Sequence, residues 1–95
     1  MRSVRLSKLA FDEIEQVGRE IAADKPHAAE AFVGELIARC HSIADAPEGY
    51  DFRPDYGIDV RGVTVGPYLI LYRVRPRDIF ILSIRHGARR PVTFK

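Results

Sequence analysis

A short apolar run between two turn signals constrains this chain more than any other feature. Tyr68-Leu69-Ile70-Leu71-Tyr72 has no charged residue and is typical of a strand buried on both faces of a sheet. Gly66-Pro67 precedes the run and Pro76-Arg77-Asp78 follows it, and both are turn sequences. The pattern predicts three antiparallel strands over residues 60–65, 68–74 and 79–85, with the middle strand central in the sheet.

Two amphipathic helices are predicted before these strands. Ser7 is a suitable N-cap, and apolar residues recur after it at helical spacing, at Ala10, Ile14, Val17 and Ile21. The first helix ends near Asp24-Lys25 because Pro26 cannot continue it, whereas Pro26 suits the first turn of a second helix. The second helix has a broad apolar stripe that includes Cys40, and it is predicted to end at Ala46-Pro47.

The predicted order of elements is β-α-α-β-β-β, because Ser3–Leu6 alternates polar and apolar residues like a short strand. The fold class is therefore α+β, with a helical hairpin packed on one face of a mainly antiparallel four-stranded sheet. A length of 95 residues predicts a single domain over residues 1–95. The sequence leaves the partner of the first strand open. The second face of the sheet is expected to be concave and to carry part of the tyrosine and arginine set.

A long connection over residues 47–59 separates the helices from the last three strands. It contains two prolines, two glycines and three aromatic residues. Connections of this length are often functional, but a loop packed by its own aromatic side chains is an equally good interpretation.

Positive charge is concentrated at the end of the chain. The net charge is only +2, but residues 79–95 contain no Asp or Glu and five residues that are basic, namely Arg85, His86, Arg89, Arg90 and Lys95. Such a cluster after a buried strand indicates an anionic or acidic partner, although a solvated surface is the alternative.

The remaining composition argues for a reducing compartment and against a metal site. Cys40 is the one cysteine, so no disulfide forms within the chain, and its place on an apolar stripe predicts a buried packing residue. No apolar run approaches membrane-spanning length and no secretory signal precedes the fold, so a cytoplasmic protein is expected. No pair of His or Cys residues has zinc-ligand spacing, and neither a metal nor a cofactor is expected.

Several fragments resemble one known family in both order and spacing. They are Leu6-Ser7 at the first helix, Pro26 with Ala28-Ala29 and Phe32 at the second, the Pro47 exit, Arg61, the strand Val65-Gly66-Pro67-Tyr68-Leu69-Ile70-Leu71-Tyr72-Arg73-Val74 and the ending Ile81-Leu82-Ser83-Ile84-Arg85-His86-Gly87-Ala88-Arg89. Together they resemble the ParE/RelE superfamily of toxins from bacterial type II toxin–antitoxin modules. The similarity is greatest to the ParE branch, whose members are often described as plasmid stabilization proteins.

The resemblance implies a partner and one of two activities. ParE-like toxins poison DNA gyrase and so block replication, whereas RelE-like toxins cut messenger RNA in the ribosomal A site. A fold does not choose between them. Either toxin is neutralised by an antitoxin, here expected to be ParD-like, and operator DNA is bound only indirectly, through that antitoxin. A degenerate toxin that only sequesters its antitoxin is a third possibility.

A RelE-like nuclease needs acid, base and phosphate-binding groups. The candidates here are Arg61, His86, Arg89 and Tyr68. The resemblance to the nuclease branch is incomplete, because no lysine occurs between Lys25 and Lys95 and the C-terminal segment has no tyrosine. Gly87 also stands where the nuclease branch tends to have an arginine. We therefore expect no catalytic residues and a protein that is not an enzyme, with the endonuclease as the alternative.

For a ParE-like gyrase inhibitor, the expected target-binding residues are Arg61, Arg85, His86, Arg89 and Arg90. Each also has a structural interpretation: Arg61 could pair with Asp55 or Asp59, and His86 could serve as a hydrogen-bonded residue at a strand end. Tyr68 and Tyr72 share a strand face and are either packing residues or a platform for a partner. The sequence does not identify the antitoxin-binding residues.

Overall fold

A computed structural model describes residues 2–95, and its elements follow the predicted order. They are β1 (Ser3–Leu6), α1 (Lys8–Asp24), α2 (Pro26–Ser42), β2 (Arg61–Val65), β3 (Tyr68–Val74) and β4 (Asp78–His86). Single 3-10 turns occur at Ile43–Asp45 and Pro54–Tyr56. The predicted α+β class, with two helices packed on a four-stranded sheet, is therefore confirmed.

The sheet has the order β1-β4-β3-β2, in which β1 runs parallel to β4 and the other pairs are antiparallel. The predicted central position of β3 is confirmed, and β4 is also central. Gly66 has a φ of 56°, as the predicted two-residue turn before β3 requires. Leu71 is opposite Ser83 whereas Tyr72 is opposite Ile81, so Leu82 is an extra residue that bulges β4.

The helical hairpin packs on one face of the sheet and forms the main core. Its fully buried side chains include Ala10, Leu36, Ile70, Tyr72 and Ile81. The Ser7 hydroxyl caps α1 by accepting a 3.0 Å hydrogen bond from the Ala10 amide, and it donates to the Leu82 carbonyl at 2.9 Å. Ser7 therefore joins the start of α1 to the bulge of β4. Neither helix within residues 2–95 is long and apolar enough to cross a lipid bilayer.

The second helix ends earlier than predicted. α2 stops at Ser42, and Ile43–Asp45 forms a 3-10 turn before Pro47. The Ala46 amide donates to the Ile43 carbonyl, three residues back, at 3.2 Å. The tighter turn keeps Ile43 fully buried in the core while it ends the helix.

The second face of the sheet is covered, which corrects the expectation of a concave face. Two segments contribute to this cover: the connecting loop, defined as residues 46–60, through Tyr56 and Val60, and the tail, defined as residues 87–95, through Phe94. Their side chains form a smaller apolar cluster with the strands, made of Tyr56, Val60, Leu69, Leu71 and Leu82 with Phe80 and Phe94. Tyr68 and Tyr72 instead face the helices. The connecting loop is thus packed by its own aromatic residues, one of the two interpretations above.

Candidate functional site

The tail begins at a turn that is fixed to the end of the sheet. The Gly87 amide donates to the Pro67 carbonyl at 2.8 Å, and the Arg89 amide donates to the His86 carbonyl at 3.1 Å. The His86 Nδ1 accepts the Ala88 amide at 3.1 Å. Arg89 and the next residue, Arg90, are exposed. Both cations therefore leave the sheet from a defined point.

Four of the predicted site residues, Tyr68, Arg85, His86 and Arg89, line one small cleft beside α1. His86 is opposite Tyr68 in the strand register, and their rings meet edge to face with centroids 5.6 Å apart. Tyr68 is half-buried and also packs against Phe32, at 5.6 Å. The cleft has a volume of about 140 Å³ and polar walls formed by Glu13, Gln16, Glu20, Tyr68, His86 and Arg89.

The acidic wall of this cleft was not anticipated. One carboxylate oxygen of Glu13 accepts both the Ser83 hydroxyl at 2.7 Å and the Ile84 amide at 2.9 Å. This carboxylate provides a hydrogen-bond acceptor for β4 beyond Ile81, the residue that is opposite Leu6 at the end of β1. In the sequence, the one indication that Glu13 faces the sheet was its position next to Ile14, a core residue of α1.

Arg61 lies elsewhere and has an unexpected set of contacts. Its Nη1 donates to the Tyr50 carbonyl at 2.7 Å and to the Glu48 carbonyl at 3.2 Å. Its guanidinium carbon is 3.8 Å from the centroid of the Phe52 ring. The suggested pairing with Asp55 or Asp59 is wrong: Asp55 pairs with Arg53 at 3.4 Å, and Arg61 forms no ion pair within residues 2–95. Arg61 therefore holds the connecting loop against the sheet.

Arg61 and His86 are far apart along the sheet. Arg61 is opposite Tyr72, whereas His86 is opposite Tyr68, four residues earlier on β3. At a rise of about 3.3 Å per residue these positions are roughly 13 Å apart. The structure brings Tyr68, His86 and Arg89 together but leaves Arg61 outside their cleft.

Arg85 was predicted to contact the target, but its side chain is buried. Its side chain points to the second face of the sheet and only 5% of the residue is exposed. The guanidinium carbon lies 5.7 Å from the centroid of the Tyr56 ring, and Nη2 donates to the Arg90 carbonyl at 2.9 Å. In this structure Arg85 underlies the tail, whereas Arg89 and Arg90 present their side chains to solvent.

Arg73 holds the far end of the tail, a role that the sequence did not reveal. Its guanidinium donates to the carbonyls of Phe94 at 2.8 Å, Lys95 at 3.0 Å and Ile58 at 3.0 Å. The Phe94 amide also donates to the Tyr56 carbonyl at 2.7 Å. The tail is therefore attached to both β3 and the connecting loop.

The other potentially reactive groups are buried or dispersed. The predicted burial of Cys40 is confirmed, since the residue is 1% exposed, and burial raises the pKa of its thiol to about 12. His27 and His41 are exposed on α2. Within residues 2–95, no three His, Cys, Asp or Glu side chains lie close enough together to hold a metal ion.

Comparisons with known proteins found a similar solved structure and a matching family profile. No curated protein matches the chain significantly. A solved structure described as the chromosomal ParDE TA system from P. aeruginosa superposes with a TM-score of 0.81, at 20% identity, over 90% of this chain and 96% of that chain. A family profile described as the ParE toxin of the type II toxin–antitoxin system parDE matches residues 4–91. The chain therefore belongs to the ParE toxin family of type II toxin–antitoxin systems.

Proposed function

We propose that this ParE toxin inhibits DNA gyrase by binding it, without chemistry of its own, and that Arg89 and Arg90 are central to the contact. The supporting observation is the pair of exposed guanidinium groups at the base of a tail that both the sheet and the connecting loop hold in place. Arginines on a fixed backbone recognise carboxylates or phosphates with little loss of conformational freedom. His86 borders the same surface, and Arg61 is a second, separate contact candidate.

The separation of Arg61 from His86 supports binding over RNA cleavage. Acid–base catalysis requires the groups to lie within hydrogen-bonding reach of one reacting atom, and these two residues are at different levels of the sheet. One observation favours the endonuclease alternative, which is that Tyr68, His86 and Arg89 line one cleft. We retain that activity as the second candidate because His86 and Tyr68 could exchange protons there.

A ParD-like antitoxin is the proposed neutralising partner, and the edge of β2 is its proposed docking site. The Gly62 amide points away from β3 and donates to the Asp51 carbonyl at 3.1 Å. Strand periodicity points the Thr64 amide the same way, and within residues 2–95 no segment pairs with this outer edge of β2 beyond Gly62. A cleft of about 430 Å³ separates this edge from α2, with Glu35, Arg39 and Ser42 on its far wall. An extended segment could add a strand here while a helix packs against α2.

Since gyrase and antitoxin are cytoplasmic, the proposed site of action is the cytoplasm.

A supercoiling assay tests the proposal directly. The purified chain is titrated into gyrase with relaxed plasmid, and the products are separated with and without protein denaturation to detect cleaved DNA. We expect inhibition with accumulation of cleaved plasmid, reversed by the antitoxin encoded beside the toxin gene. Unimpaired supercoiling at large excess of the folded chain would reject the gyrase proposal.

A translation reaction tests the second candidate with the same protein preparation. Primer extension on an mRNA under translation reveals cuts that depend on the ribosome. Cuts that disappear in the His86→Ala variant would establish the endonuclease, whereas intact mRNA would leave binding of gyrase as the surviving candidate.

A further inference from the structure

Arg85 carries an unsatisfied hydrogen-bond donor inside the protein. Its Nε is the only buried side-chain nitrogen or oxygen within residues 2–95 that has no hydrogen-bond partner. Its Nη2 has one partner, the Arg90 carbonyl at 2.9 Å. None of the three ion pairs in the same residues involves Arg85. A nearly buried cation is therefore held by a single neutral oxygen and the face of Tyr56.

The hydrogen bonding of the Arg85 guanidinium is incomplete. Nε and Nη2 donate in parallel from one edge of a guanidinium, and that edge fits the two oxygens of a carboxylate. Arg75 shows the complete form in the same chain, since its Nε and Nη2 bind the two oxygens of Asp78 at 2.6 and 2.7 Å. At Arg85 the Nε of this edge has no acceptor. A buried charge without a counter-ion is also unfavourable.

The middle of the tail, which covers Arg85, is held by fewer hydrogen bonds than the two ends of the tail. Residues 87–93 are exposed and belong to no helix or strand. Hydrogen bonds to Pro67 and His86 hold residues 87–89, whereas residues 90–93 make one hydrogen bond within residues 2–95, through the Arg90 carbonyl. Arg89 and Arg90 add positive charge around the same place, which attracts anions to it.

We propose that Arg85 is a receptor for an aspartate or glutamate side chain of a partner protein. The carboxylate binds Nε and Nη2 together and displaces the Arg90 carbonyl. A carboxylate on a slender side chain reaches a residue that is only 5% exposed more easily than the phosphate of a nucleic acid, which brings its sugars and bases with it. Displacement also moves the backbone that carries Arg89 and Arg90, so occupation of this site controls the proposed gyrase-binding cations. The identity of the partner as the antitoxin rests on the proposed function, but the receptor geometry does not.

Side-chain NMR on the isolated chain tests this site. The probe is a hexaglutamate peptide, the neutral control is hexaglutamine, and a thymidine hexanucleotide supplies phosphate. We expect hexaglutamate to shift the Arg85 Nε–Hε resonance and the Arg89 and Arg90 amides in a saturable way. The Nε–Hε resonance of Arg75, already paired with Asp78, serves as an internal reference that stays in place.

Matched variants separate a specific receptor from general attraction. Arg85→Lys keeps the charge but removes the two-pronged edge, and we expect about tenfold weaker hexaglutamate binding. Arg77→Lys alters an exposed arginine at the other end of β4 and should bind like the unmodified chain.

Equal binding by Arg85→Lys, an unmoved Arg85 resonance, or a shift caused by the hexanucleotide alone would overturn the proposal. If Arg85→Lys does not fold, the resonance measurement on the unmodified chain still decides the question. Gyrase is absent from the titration, so failure of the supercoiling test and failure of this one are independent.

Discussion

The hydroxyl of Tyr72 donates a 2.6 Å hydrogen bond to the carbonyl of Pro47. Tyr72 is fully buried in the centre of β3, and Pro47 lies near the start of the connecting loop. A side chain of the main core therefore supplies the donor for a backbone carbonyl that would otherwise lack a partner. Burial raises the pKa of Tyr72 to about 12, although the charge of Arg61 opposes this increase.

Replacing Tyr72 with Phe should destabilise the fold by about 1–2 kcal/mol, because the Pro47 carbonyl loses its partner while the ring stays in place. Urea unfolding followed by circular dichroism measures the change. Tyr50→Phe is the matched control, since the Tyr50 hydroxyl forms no hydrogen bond within residues 2–95 and its ring also packs in this region. Equal stability of Tyr72→Phe and the unmodified chain would contradict the assigned role.

Acid should weaken the ion pair at the β3–β4 turn. The hydrogen bonds from Arg75 lower the pKa of Asp78 in the folded chain. A lowered folded-state pKa stabilises the protein above the pKa of the unfolded chain, and this contribution disappears as the pH falls through the folded value. Asp78→Asn should therefore reduce stability at pH 7, and its difference from the unmodified chain should shrink below about pH 4.

Unfolding curves collected between pH 2 and 7 test this pH dependence. Asp45→Asn provides the comparison, because Asp45 is exposed and has no ion pair within residues 2–95. A stability difference for Asp78→Asn that stays constant across the whole range would show that the pair does not titrate as described.

The thiol of Cys40 should be unreactive until the protein unfolds. It is 1% exposed and its pKa is raised to about 12 by burial, so both access and the thiolate fraction are low at pH 8. We expect modification by DTNB to be more than about a hundredfold slower in the native chain than in guanidinium chloride. Labelling at equal rates in the two states would be incompatible with the packing of α2.

Removal of the two exposed arginine side chains of the tail should weaken inhibition while the fold is preserved. For Arg89→Ala combined with Arg90→Ala, we expect the concentration for half-inhibition of gyrase to rise at least about tenfold, the equivalent of ~1.4 kcal/mol of contact energy. The thermal midpoint should change little, because the backbone carbonyl of Arg90 that binds Arg85 remains. Arg77→Ala is the control for loss of charge at a distant site. Undiminished inhibition would remove the tail from the target surface.

Local sequence signals account for most of the fold. Ser7, Pro26 and Gly66-Pro67 fix where helices and strands begin, because each acts through its own backbone geometry or hydrogen bonds. The pairing of β1 with β4 could not be predicted, since it joins segments that are distant in sequence and depends on the completed sheet. The early end of α2 at Ser42 reflects the burial of Ile43, which is a tertiary effect.

The candidate site was only partly predictable, for a related reason. Tyr68, His86 and Arg89 were predicted from their side-chain chemistry and from the family resemblance, which also suggested Arg61. Arg61, Arg73 and Arg85 all bind backbone carbonyls of distant segments, and every residue has such a carbonyl, so the sequence contains no signal for these contacts. Glu13 was missed because a glutamate on an amphipathic helix resembles any solvated residue until its strand partner is known.

The parallel pairing of β1 and β4 determines when the fold can be completed during synthesis. Ser7 bonds to the carbonyl of Leu82, 75 positions later, and the strand that contains Leu82 is the last one to be translated. Until β4 emerges from the ribosome, β1 has no partner and the apolar face of the helical hairpin has no complete sheet to cover it. A chain that terminates before Asp78 therefore lacks both a finished core and the arginines that follow it. Incomplete translation products are expected to be harmless to the cell that makes them.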